Sequence, residues 1–265
     1  MATSGGSLSV QSLHRALTIL ETVGNHPTPI TLRQLTEKTE LPKPTVYRLL
    51  RNLEDRKYVS CDSNGHYRLG TQFLTLSRWA ERDFEIKQLA RKHLEYLNEL
   101  SKETVHLAIL EQHRVLYIDT VESPHALRLV AKLGSTNSVH CTALGKALLI
   151  HYPDMKIKEI LEKHGMERRT AYTLTTPESY LQEMAQVRRC GYALDDRESE
   201  LDGRCIGAPI FDQNGHAVAA ISISGLSTRF SREHIETNIV APLLERTALL
   251  SKILGYTEKI PEILP

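Results

Sequence analysis

"LPKPTVYRLLRNLEDRKYV", residues 41–59, carries two prolines and then an amphipathic run whose two sides differ in kind. Pro44 fits the first turn of a helix, where its fixed φ costs nothing and its missing N–H would have had no intrahelical acceptor. From there Val46, Leu49, Leu50 and Leu53 fall on one stripe at helical spacing, while Thr45, Arg48 and Asn52 recur on another, flanked by Tyr47 and Arg51. The first stripe is a core face. The second is free, and on its own it is as compatible with a solvated surface as with a binding face.

The neighbouring residues decide between those readings. "PITLRQLTEKTE", residues 29–40, reads as a short helix after the N-cap hydroxyl of Thr31, with Leu32, Leu35 and the later Leu41 inward. Only Glu40, Leu41 and Pro42 separate it from the next helix, which makes a helix-turn-helix. "VSCDSNGHYRLG", residues 59–70, then flanks Asn64-Gly65 with β-type residues and predicts a hairpin, the wing. Upstream, residues 9–26 form a first helix with Leu13, Ala16, Leu17 and Leu20 inward and Arg15 opposite, blocked by Pro27 and Pro29. A module of this kind lays its second helix in the major groove of double-stranded operator DNA. Thr45, Tyr47 and Arg48 are then expected at base edges and Lys43, Arg51 and Arg15 at phosphates, with the wing residues His66 and Tyr67 contributing less.

Composition sets independent limits. A chain of 265 residues is longer than the roughly 100–200 residues of one domain, so two domains are expected. No apolar run approaches the ~18 residues of a membrane span, and "MATSGGS" lacks the basic and apolar regions of a signal peptide, so a tail and a cytoplasmic setting without membrane contact are expected. Cys61, Cys141, Cys190 and Cys205 are scattered without a C-x-x-C pair, which indicates neither a zinc cage nor a disulfide framework. The net charge of +1 is unevenly spread. Ten basic residues stand against six acids up to Ala80, leaving an acidic remainder, the sign expected of a DNA-binding head on an acidic body.

Beyond the wing, residues 71–103 read as a long helical stretch broken near Asp83. Trp79 and Phe84 are too apolar for a simple tether, so the stretch is expected to serve as a linker helix and subunit contact. From Val105 the pattern mixes strands ("VHLAIL", "VLYIDTV", "LRLVAKL", "CIGAPIF", "HAVAAISISG") with helices ("TALGKALLIH", "IKEILEKH", "PESYLQEMAQVRRCG" and residues 231–254), an α+β domain with an antiparallel sheet. If Asn214-Gly215 is a two-residue turn, or lies in a four-residue loop, Cys205 faces Ser224 and Gly207 faces Ser222. Ser222 and Ser224 then share one face of the sheet and Ile221 and Ile223 the other. That polar face is either a half-exposed surface or a site. Thr142 is a natural N-cap for the helix opening at Ala143, and "GK" at Gly145-Lys146 lacks the spacing of a P-loop.

Taken together, "SVQSLHRALTILE", "LPKPTVYRLLRNLEDRKYV", "YRLG", "HCTALGKALL", "GYALDDRESELDGRCIGAPIFD" and "AAISISG" resemble the IclR family of transcriptional regulators over nearly the full length. The resemblance implies a tail at 1–7, a winged helix-turn-helix domain at 8–72, a linker helix at 73–86 and a GAF/profilin-like effector domain at 87–260. It implies a homo-oligomer, a dimer or a dimer of dimers, that answers a small carboxylic or sugar acid and represses a catabolic operon. Carried over position by position, the effector pocket comprises Ala143, Leu144, Asp195, Cys205, Ser222 and Ser224. Some relatives have glycine at the position of Ala143 and alanine at that of Leu144, so the pocket shape is expected to differ here. Asp195 is implied as an acceptor for a ligand hydroxyl; capping its own turn, or pairing with Arg197 or Arg204, are the alternatives.

Two other classes compete. One is a DNA-binding regulator without a small ligand. The other is an enzyme with Cys205 as nucleophile and His140 or His216 as base, but nothing in the sequence places a histidine beside Cys205. A metal at His140-Cys141 is disfavoured because adjacent ligands seldom reach one ion. The expectation is a protein without catalytic residues, cofactor or metal.

Overall fold

The computed structural model describes residues 10–76 and 85–257. The chain divides into two compact units, Met1–Phe84 and Glu85–Pro265. The tail expected at 1–7, Trp79, Phe84 and most of the expected linker lie outside the described residues, as do residues 258–260 of the expected effector domain.

The first unit runs α1 (Gln11–Asn25), β1 (Ile30–Thr31), α2 (Leu32–Thr39), α3 (Lys43–Asp55), β2 (Val59–Cys61) and β3 (His66–Leu69), with an antiparallel sheet of order β1-β3-β2. Thr31 caps α2 through a full capping box: its Oγ1 accepts from Gln34 N–H while Gln34 Oε1 accepts from Thr31 N–H. Glu40 takes a left-handed conformation, φ 55°, to end α2, and α3 restarts two residues past Leu41 with Pro44 in its first turn. Val46 and Leu50 are fully buried with Leu35, Ile30, Val59 and Tyr67, and Leu32, Leu41, Leu49 and Leu53 pack around them.

One expectation fails here. Leu13 and Leu17 do not face the core; both are exposed, and α1 buries Ile19 and Val23 with Leu20 packed beside them. The helix carries two apolar stripes, and the Leu13–Leu17 stripe stops at the charged Glu21 while Ala16, Ile19, Leu20 and Val23 continue unbroken. Tyr67 also turns inward, a wing residue absorbed by the core.

The second unit runs α4 (Glu85–Ser101), β4 (Thr104–Glu111), β5 (Arg114–Val121), β6 (Thr136–Asn137), α5 (Ala143–Leu148), α6 (Asp154–His164), α7 (Pro177–Cys190), β7 (Ala193–Asp196), β8 (Gly203–Phe211) and β9 (Ala217–Leu226). A helical turn at Arg232–His234 and a π turn at Ile235–Ile239 then lead into α8 (Val240–Ile253). The antiparallel sheet has order β6-β5-β4-β9-β8-β7. Its two faces bury two cores. Ile206, Ile221, Ile223, Val105 and Leu107 pack with Leu94, Leu97 and Leu243 of α4 and α8, whereas Ala108, Val115 and Ala220 pack with Leu144, Leu148, Tyr180 and Met184 of α5 and α7.

"LRLVAKL" is not a strand; residues 127–133 form an irregular segment with Leu127, Val130 and Leu133 exposed. On that side β5 is paired by the two residues of β6, and Tyr117 exchanges backbone hydrogen bonds with Gly134 and Ser135, so the pairing stops short of residues 127–133. The hairpin loop also differs from expectation. Asp212 N–H donates to His216 O and Asp212 Oδ1 accepts from Asn214 and His216 N–H, a three-residue loop. A bulge at Ile210/Phe211 then restores the expected register, so Cys205 faces Ser224 and Gly207 faces Ser222. The wing repeats the device. Asp62 Oδ1 accepts from Asn64 and His66 N–H in the matching D-x-N-G-H sequence. In both loops glycine takes the positive φ that the turn requires.

Candidate DNA-binding face and effector chamber

With Val46 and Leu50 pinned in the core, the opposite side of α3 is solvent-facing. Lys43, Tyr47, Arg48, Arg51 and Asn52 are exposed, and Thr45 is half-buried at the helix start. Asn52 Nδ2 donates 2.7 Å to Arg48 O, and Arg51 Nη1 lies 3.3 Å from Glu54 Oε2, so the Arg51 charge is partly engaged within its own helix. Arg15 is half-buried on α1. On the wing, Arg68 is the exposed cation, its Nε donating 3.2 Å to Ser60 Oγ. Arg68 follows from strand alternation once Tyr67 is known to point inward.

In the second unit, Asp195, Cys205, Ser224 and Thr104 stand opposite one another across β7, β8, β9 and β4. Ala193, Gly207, Ser222 and His106 form the next row. Directly opposed residues of antiparallel strands share a face, so four polar side chains of the first row and two of the second project to the side where α5 packs. A Cβ on Gly207 would lie 3.0 Å from the carbonyl carbon and oxygen of Ala143, so glycine there admits the start of α5 against the sheet. Thr142 Oγ1 accepts from Gly145 N–H at 3.1 Å, and Ala143 and Leu144 are buried in the first turn. All six pocket residues named from the sequence therefore belong to one neighbourhood. Cys205 alone keeps appreciable accessible surface there, while Asp195, Ser222 and Ser224 are buried.

Asp195 caps its own turn. Oδ1 accepts from Glu198 N–H at 2.8 Å and Ser199 N–H at 3.2 Å, and Oδ2 from the Ser199 hydroxyl. Arg197 and Arg204 pair instead with Asp196, at 3.3 and 2.9 Å. Burial raises the Asp195 pKa against the lowering effect of those hydrogen bonds. Burial, with Asp195 close by, also pushes the Cys205 thiol up. A thiol held protonated is a poor nucleophile, and its two proposed bases are elsewhere: His140 Nε2 lies 3.0 Å from Glu167 O, and His216 sits in the exposed hairpin loop. All four cysteines are free, and no three potential ligands converge on a metal-sized site among the described residues.

Sequence reasoning passed over four residues of this region. Thr104 and His106 reach the same face through β4, which pairs with β9 across more than 100 residues of chain. His106 Nδ1 lies 3.1 Å from Thr120 Oγ1, its ring stands edge-on to Tyr117, and burial pushes its pKa down to about 4. Tyr117, on β5, is pushed up to about 12 by the same burial. Lys146 was set aside with the P-loop, yet it is fully buried. Its ammonium donates 2.8 Å to Leu194 O and 2.6 Å to Glu198 Oε1, with Glu183 Oε1 at 3.4 Å, tying α5 to β7. No local signal marks these residues, because long-range pairing brings them together.

Residues 12–63 match the model of the IclR helix-turn-helix domain, and residues 80–252 that of the bacterial transcriptional regulator IclR C-terminal domain. The chain is 35% identical over 252 residues to the DNA-binding transcriptional repressor YiaJ of Escherichia coli, covering 93% of this chain and 89% of that protein. It is 32% identical over 249 residues to the E. coli HTH-type transcriptional regulator KdgR, covering 94% of each. The crystal structure of the Thermotoga maritima IclR superposes with a TM-score of 0.80 at 31% identity, over 94% of this chain and all of that one. Helix-turn-helix head, effector-type sheet and full-length likeness agree on a DNA-binding regulator rather than an enzyme, and the chain belongs to the IclR family of bacterial transcriptional regulators.

Proposed function

We propose that this regulator is a cytoplasmic repressor of a catabolic operon and that a small organic or sugar acid, bound under α5, changes its grip on operator DNA. The observation that carries the reading is the polar row of buried Asp195, half-buried Cys205 and buried Ser224 beside Gly207 and Ser222. Such a face offers donors and acceptors close to one another, and a hydroxylated acid is the kind of ligand that can use both. The carboxylate goes to the N–H groups of Ala143 and Leu144, which precede the first intrahelical donor, the Lys146 N–H on Thr142 O, and to the Ser222 and Ser224 hydroxyls. Asp195 repels that end and receives the hydroxylated end. Its turn uses three of about four acceptor positions, which leaves one for a ligand hydroxyl.

On the DNA side Thr45, Tyr47 and Arg48 read base edges, while Lys43, Arg51 and Arg15 hold phosphates. Paired heads on a two-fold operator require a dimer or a dimer of dimers. A thermal-shift screen of small carboxylic and sugar acids on the full-length protein tests the reading, since a ligand at 100 times its Kd adds about 2.7 kcal/mol of stability. Hits must then change operator affinity, and linkage requires operator DNA to change their affinity by the same factor. A screen without hits, or hits indifferent to DNA, favours the regulator without an effector.

A further inference from the structure

The polar row is covered in the free protein. Asp195, Ser222 and Ser224 are buried and Cys205 is half-buried, so a ligand reaches them only when part of the cover moves. On one side the cover is α5. That helix is pinned, because its start rests on Gly207 and the Lys146 ammonium holds Leu194 O and Glu198.

On the other side the cover is the irregular segment after β5. Gly203, Cys205 and Gly207 alternate along β8 and share one face, so Gly203 stands one row beyond Cys205 and Ser224 on the polar side. A Cβ on Gly203 would lie 3.1 Å from Leu129 Cδ1, which puts the Leu129 side chain over the end of the row. Ala131 packs against the core that contains Tyr117 and Leu144. Leu129 and Ala131 therefore turn inward while Arg128, Val130 and Lys132 are exposed, and the segment lies as a strap across the chamber from Gly203 toward α5.

The strap is tied at its ends and hardly at all in its middle. Ser123 N–H donates to Thr104 Oγ1 at 3.2 Å and Gly134 N–H to Tyr117 O at 2.9 Å, so both anchors sit on strands that wall the chamber. Between them the backbone of residues 126–131 makes one hydrogen bond among the described residues, Leu127 O accepting from Arg229 Nη2 at 3.0 Å. Arg229 is itself held by both carboxylate oxygens of Glu103. A stretch with one backbone hydrogen bond and no fully buried side chain opens at far lower cost than a helix or a paired strand.

We infer that residues 126–131 are the movable cover of the polar chamber, latched by Leu129 on Gly203 and by Arg229 on the Leu127 carbonyl, and that ligands enter by lifting it. That the entering ligand is an acid rests on the function proposed above; the cover itself does not.

Cys205 reports access to the chamber without any ligand. The test is alkylation of the folded full-length protein by iodoacetamide, read cysteine by cysteine by peptide mass spectrometry, in the parent and in Leu129→Ala. Cys141 is fully buried and records global opening. Limited trypsin cleavage after the exposed Arg128 and Lys132 records lifting of the strap, because the protease needs the segment drawn out of its packing and cleavage tracks the open population. Leu129→Ala is expected to raise Cys205 alkylation and strap cleavage together, each about tenfold, with Cys141 unchanged. Unaltered Cys205 alkylation, a rise shared equally by Cys141, or faster alkylation without faster cleavage overturns the assignment. When both rates respond and the acid screen yields no binder, the effector reading fails and the cover stands.

Discussion

Lys146 Nζ lies 2.6 Å from Glu198 Oε1, with the lysine side chain wholly removed from solvent and the glutamate nearly so. Burial raises the Glu198 carboxyl to about 7, against the pull of Lys146 in the opposite direction. Such a pair is held by mutual compensation, because each charge is tolerable only while the other is present. Lys146→Met is therefore expected to cost about 3–5 kcal/mol, and the double variant Lys146→Met/Glu198→Gln to recover a large part of it. Urea unfolding of the two single variants and the double variant, read as a thermodynamic cycle, checks this; strict additivity would show that the two charges are not coupled.

His106 sets an acid sensitivity. Burial depresses its folded pKa to about 4 from 6.5, so between these values the unfolded chain binds the additional proton. Its contribution is complete above pH 6.5 and is lost as pH falls toward 4. Glu198, raised from 4.5 to about 7, acts with opposite sign, favouring the folded state at acid pH and losing that contribution as pH rises toward 7. The difference in unfolding free energy between parent and His106→Asn isolates the histidine, and is expected to shift by on the order of 3 kcal/mol in favour of the variant from pH 7 to pH 4. A pH-independent difference would refute it.

On the DNA face, Arg48→Ala is expected to lose about 1–3 kcal/mol on the operator and relax specificity at one base pair. Lys43→Ala should weaken all sequences alike and lower the salt slope by about one. Arg51→Ala should fall below both, because Glu54 already engages its guanidinium at 3.3 Å. Fluorescence anisotropy against operator and scrambled duplexes over a range of salt separates the three.

At the proposed effector site, Ser224→Ala is expected to leave folding and DNA binding of the free protein intact while weakening the proposed acid by about 1.5–3 kcal/mol, the value of a hydrogen bond to a charged acceptor. Asp195→Ala is expected to weaken the ligand and the fold together, since it also uncaps Glu198 and Ser199. Calorimetry and thermal melts on the same samples distinguish the two patterns. Unchanged affinity in both variants moves the site elsewhere.

Gly207→Ala tests the approach of α5 to the sheet. Its Cβ would meet the Ala143 carbonyl group at 3.0 Å, a backbone contact that cannot rotate away. Overpacking of this kind costs about 1–3 kcal/mol. The variant should lower the melting temperature and abolish acid binding while leaving operator affinity of the free protein near that of the parent.

The parts legible in the sequence were those fixed by local chemistry. Helix spacing and Pro44 place α3, the Thr31 capping box starts α2, and the parity of β8 and β9 puts Cys205 opposite Ser224 and Gly207 opposite Ser222. Even the loop error was harmless, because a bulge absorbed it. Periodicity could not choose between two apolar stripes of α1, since that choice depends on which helices and strands arrive to cover one of them. Nor could it bring Thr104 and His106 beside Ser224 and Ser222, bury Lys146 against Glu198, or commit Asp195 to its own turn. Turns and helices are decided within a few residues by backbone sterics and capping, so the helix-turn-helix and the register of β8 on β9 could be read in advance, whereas residues 127–133 read as a strand and are not one. Which side chains share an interior is decided by strand order and by the desolvation each buried charge must offset, and only the tertiary structure settles that.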